Sequence, residues 1–122
     1  MMTTITVGEK DINLLANAAT PIRYKMVFGS DLMVEFNQLN TGKKDGGEML
    51  EITTQLAFIM NRQADCDKKE LSALSKDSYV EWLEDFGAMD FVNASEAIIN
   101  TYLGTTGTTS KSKNVESRPK GK

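Results

Sequence analysis

Four groups of residues in this chain have the types and spacing to do chemistry. Gly42-Lys43-Lys44 lies in a glycine- and lysine-rich stretch that could wrap a phosphate. The Walker pattern requires glycine where Asn37 stands and Ser or Thr where Lys44 stands, and no strand precedes it, so a connecting loop is expected. Asp65-Cys66-Asp67 has the opening acids of a calcium loop. Its fifth position is Lys69, however, and its sixth, which needs glycine for a sharp turn, is Glu70. These acids read instead as a helix-capping turn, and Cys66, with no activating neighbour, as an ordinary buried or half-exposed thiol. The row Tyr79, Trp82, Phe86 and the pair Phe91, Tyr102 could stack nucleobases, but no basic groove accompanies them and their helical spacing points to core. Met26, Met33, Met49, Met60 and Met89 either fill an irregular core or line an adaptable partner surface.

What is missing narrows the chemistry further. The 122 residues contain no histidine, which removes the commonest general base and metal ligand. With one cysteine as well, the usual four N/S ligands of a structural zinc site cannot be assembled. No enzyme, cofactor or metal is therefore expected. Hydrophobic residues at 40% and charged residues at 25% fit one ordinary globular domain rather than a disordered chain. No apolar run approaches the ~20 residues of a membrane span, and the first ten residues lack the basic-then-apolar order of a secretory signal. A lone Cys66 fits a reducing compartment. From Lys111 onward five bases face one acid, +4, leaving nine bases against sixteen acids, −7, before it. An acidic body with a short basic tail is a poor nucleic-acid surface, because phosphate neutralisation needs a basic face on a folded element.

The elements that must position these residues follow from capping and periodicity. Thr3-Thr4-Ile5-Thr6-Val7, the turn Gly8-Glu9-Lys10, and the alternation of Ile12, Leu14 and Ala16 with Asp11, Asn13 and Leu15 predict a small hairpin. Thr20 reads as the N-cap and Pro21 as the first residue of a helix running to Gly29. Gly29 either ends it, with Ser30 capping a second helix that carries Leu32, Phe36 and Leu39, or only kinks it. A polar loop over 40–47 leads to a helix with Met49, Ile52, Leu56, Ile59 and Met60 on one face, ending between Asn61 and Ala64. Asp67 with Glu70 starts a short turn, and Ser78 with Glu81 caps a helix that Gly87 breaks. The last helix stops at Gly104. The expected fold is mainly α, a small N-terminal hairpin followed by about five helices over 1–104, with a polar, disordered, basic tail over 105–122.

The segment Thr20-Pro21-Ile22-Arg23-Tyr24-Lys25-Met26-Val27-Phe28-Gly29-Ser30-Asp31-Leu32, following a hairpin, resembles the Thr-Pro, Tyr/Arg, Phe-Gly-x-Asp-Leu start of a family. The family is the tail assembly chaperones of long-tailed, siphovirus-like phages and prophages of Gram-positive bacteria. Trp82-Leu83-Glu84-Asp85-Phe86, the final helix and the Thr/Ser/Lys-rich tail are similar more loosely. The resemblance implies a non-enzymatic protein of the host bacterial cytoplasm that is not retained in the virion. It would bind the tape measure protein, keep it soluble, self-associate, and recruit tail tube protein, mainly through a longer form made by translational frameshifting. The anchors expected to meet the client are Met26, Met33, Phe36, Phe91, Ile98 and Tyr102. From the residues alone, the alternative is a small helical regulatory or antitoxin-like protein that binds one target.

Overall fold

The computed structural model describes residues 2–40, 42 and 46–106, with the side chains of 39, 40, 105 and 106 outside the described set. The expected tail lies outside the described residues from 107 onward, and so do Lys43 and Lys44 of the glycine-lysine loop. The chain opens with the predicted hairpin, β1 (Met2–Val7) paired antiparallel with β2 (Lys10–Leu15), Ile5 facing Ile12 and Thr4 facing Asn13. Gly8 takes a positive φ of 64°, the hand that a two-residue hairpin turn favours. A side chain there would also overlap the carboxylate of Asp90.

Six helices follow among the described residues: α1 (Thr20–Phe28), α2 (Leu32–Asn40), α3 (Gly46–Asp65), α4 (Lys68–Ser72), α5 (Lys76–Leu83) and α6 (Asp90–Thr106). Their types match the sequence, and several of their ends move. Helix α1 begins at Thr20 itself, so Thr20 is not the cap. Its hydroxyl accepts from the Asn17 amide at 3.0 Å, while the Asn17 side chain accepts from Ala19 N–H at 2.9 Å. Gly29 ends α1 in the left-handed region, its N–H donating to Lys25 O at 2.8 Å. Asp31, rather than Ser30, accepts from the first amides of α2, Met33 at 2.9 Å and Val34 at 3.4 Å. Asp67 and Glu70 form the full reciprocal capping box. The next box is Ser75 with Ser78, three residues before the predicted one, because Ser75 is the residue in extended geometry. Helix α5 ends at Leu83, before Gly87, and α6 runs through Gly104 to Thr106.

The 20-residue α3 is the axis of the fold: β2, α1, α5 and α6 all pack on it, and α6 also packs on β1. Its Ile52, Leu56, Ala57, Phe58, Ile59 and Met60 are buried. An aromatic chain runs beside it, Tyr24 to Phe28 (5.2 Å between ring centroids), Phe28 to Tyr79 (5.0 Å), Phe58 to Trp82 (5.5 Å) and Trp82 to Phe91 (5.4 Å). Tilted and edge-on pairs at these separations suit the ring quadrupoles. The aromatics that could have stacked nucleobases are thus core. Among the described residues, no helix is long and apolar enough to cross a membrane.

Candidate functional site

Polar side chains gather most densely at the C-terminal end of α3, where they serve the fold. Gln63 donates to Leu15 O at 2.7 Å and to the Thr20 hydroxyl at 2.9 Å, and accepts from the Arg23 guanidinium at 2.9 Å. Asn61 donates to Asn13 O at 2.9 Å and accepts from Trp82 Nε1 at 3.0 Å and Arg62 at 2.7 Å. Buried polar groups need such partners, and here the partners are β2, the start of α1 and the indole of α5. Arg62 Nε is the buried side-chain nitrogen left without one among the described residues. Among its described residues the cluster holds no nucleophile next to a base, and where Arg23 and Arg62 reach surface clefts they do so as hydrogen-bond donors to Gln63 and Asn61.

Two phenols sit deeper. Tyr24 donates to Gln55 Oε1 at 2.7 Å, and Tyr79 shares a 2.6 Å hydrogen bond with the Thr54 hydroxyl. Burial pushes Tyr24 well above the ordinary tyrosine range, and the nearby carboxylates of Glu35 and Glu51 add to it. Burial raises Tyr79 too, with Thr54 opposing and Glu51 adding. A raised folded pKa means that stability is complete below the unfolded value of 10.0 and falls as pH rises beyond it. A melting temperature flat to the onset of tyrosine ionisation and then falling is the expected profile. Among the described residues, no group of three or more Cys, Asp or Glu side chains is arranged to hold a metal ion.

The six expected anchors separate into three groups. Phe91, Ile98 and Tyr102 point inward from α6, with Ile98 fully buried. They hold the helix to the domain and are not available on the folded surface. Phe36 is half-buried, its ring 5.5 Å from that of Tyr102, so it bridges α2 to α6. Met26 (77% exposed) and Met33 (65% exposed) stand in solvent. Leu32, beside Met33, is core.

Met26 is part of a cleft that the sequence did not single out. Ile22, Met26 and Val27 of α1 form one wall, and Leu71 and Leu74, on and just after α4, form the other. Arg23 and Lys68 stand at its margins. Ile22, 61% exposed, lies one helical turn from Met26. That i, i+4 pair was the available signal. It was masked because Tyr24 and Phe28 form a second i, i+4 row on the same helix, and that row is the buried one. No family model, curated protein or solved structure matches the chain.

Proposed function

We propose that this chain is a phage tail assembly chaperone: a non-enzymatic protein of the host bacterial cytoplasm that binds the tape measure protein and keeps it soluble until the tail is built. The observation that carries the reading is the open apolar cleft of α1 and α4, with Ile22 and Met26 exposed along it. An amphipathic helix of a client can lay its apolar face into such a groove, with a few aliphatic anchors supplying most of the energy. Methionine suits this role because its unbranched, polarizable side chain adapts to successive segments of a long client. One wall of the cleft also falls within the Thr20–Leu32 segment that carries the resemblance, while the other, Leu71 and Leu74, lies outside it. Several copies along one client, weak singly and strong together, would coat it. Recruitment of tail tube protein, mainly by a frameshifted longer form, belongs to the same proposal.

The test is co-expression with the cognate tape measure protein. Retention of that protein in the soluble fraction and its co-purification with the chain are the expected results. No solubilisation and no co-purification would overturn the assignment and turn attention to a regulatory, antitoxin-like role.

A further inference from the structure

The two edges of the hairpin are met differently by the rest of the fold. On β2, the carbonyls of Asn13 and Leu15 point away from β1 and are capped by Asn61 (2.9 Å) and Gln63 (2.7 Å). In register these residues face Thr4 and Met2. Both are therefore non-hydrogen-bonded pairs, whose backbone groups point outward on both strands. By alternation, Met2, Thr4 and Thr6 turn their N–H and C=O groups to the outer edge of β1, while Thr3, Ile5 and Val7 make the ladder. Among the described residues, none of those outward backbone groups has a hydrogen-bond partner. Strand β1 also has no charge, no proline and no bulge, three of the devices that ordinarily keep an edge from pairing, and α6, which packs on it, makes no backbone hydrogen bond to that edge among the described residues.

We infer that the outer edge of β1 docks against the same edge of a second copy of this chain, forming a four-stranded antiparallel sheet in the order β2-β1-β1-β2 about a two-fold axis. A two-fold contact needs a self-complementary patch, and this edge is one. Centring the pairing on Thr4 sets Thr4 against its counterpart and Met2 against Thr6, and matches every outward donor to an acceptor in about six backbone hydrogen bonds. The side chains brought opposite one another on the open face are threonine and methionine, and threonine pairs across strands are favourable. Strand β1 carries no charge, so pairing along this edge sets no like charges directly opposite one another. The pairing rests on the hairpin's hydrogen bonds and not on the chaperone reading, whose cleft is built from α1 and α4.

Sedimentation equilibrium of the full chain, with amide hydrogen exchange at the dilute and concentrated ends, tests it. A reversible dimer is expected, with the Thr4 and Thr6 amides gaining protection as it forms and the Thr3 and Ile5 amides protected throughout. Thr4→Lys sets two like charges face to face at the axis and should raise the dissociation constant by about tenfold or more. Thr4→Pro removes an N–H that the β1–β2 ladder does not use and should do the same. Should the proline variant fail to fold by circular dichroism, the lysine variant decides. A chain monomeric at every concentration, a dimer whose Thr4 and Thr6 amides stay unprotected, or a dimer indifferent to Thr4→Lys would overturn the inference. Met26→Asp serves as the control and should leave the dimer intact; loss of the dimer in that variant alone would place the contact on α1 and likewise overturn it.

Discussion

Helices α1 and α6 both carry apolar residues three and four apart, and the fold uses them in opposite ways. On α6 the row Phe91, Ala94, Ile98 and Tyr102 is buried against α3 and β1, and its exposed Val92 and Leu103 lie about three turns apart rather than side by side. On α1 the row Thr20, Tyr24 and Phe28 is buried, while a second row, Ile22 and Met26, stays in solvent. A helix with one apolar stripe is held to its domain by that stripe. A helix with two has one to spare. The comparison teaches that spacing identifies a stripe but not what covers it, and the spare stripe of α1 is the one the proposed client contact would use.

The sharpest break of the comparison comes from the inward side. Phe58→Ala removes the ring that touches Phe28, Tyr79 and Trp82, and should cost about 3–5 kcal/mol in denaturant unfolding. A loss under 1 kcal/mol, roughly the scale of an ordinary surface change, would mean that the aromatic chain is not the core. Asn61→Ala leaves the Trp82 indole and the Asn13 carbonyl without their buried partner, at about 1–3 kcal/mol for each group stranded. Stability measured beside Trp82→Phe, singly and together, should show the two changes to be non-additive. Asp67→Ala removes one half of the capping box of α4, the far wall of the cleft, and should cost about 0.5–2 kcal/mol. Ile22→Asp with Met26→Asp should change stability least, by about 0.5 kcal/mol or less each, because both side chains are already in water.

Much of the fold was legible because its signals are local. The hairpin follows from a β-branched run and a Gly8 turn. Asp67-x-x-Glu70 forms the box its spacing announced, and Gly29 stops α1 as its lack of a side chain allows. One local signal misplaced its helix start: Ser78-x-x-Glu81 has the capping-box pattern, yet the box forms at Ser75 and Ser78, because Ser75 is the residue held extended. The role of Asn61 and Gln63 was not legible, since their carbonyl partners lie 48 residues away. For the same reason the sequence could not divide the six expected anchors. Met26 and Ile98 are both apolar and both at helical spacing, and only the position of α3 separates the exposed one from the buried one.

The central claim is that the outward row of α1 meets a client. The soluble fraction of the tape measure protein, co-expressed with the unmodified chain and with the Ile22→Asp/Met26→Asp variant, tests it directly. The account predicts that the client is soluble with the first and precipitates with the second, while the variant keeps its circular dichroism and its melting temperature. A variant that keeps the client soluble as well as the unmodified chain does would contradict it.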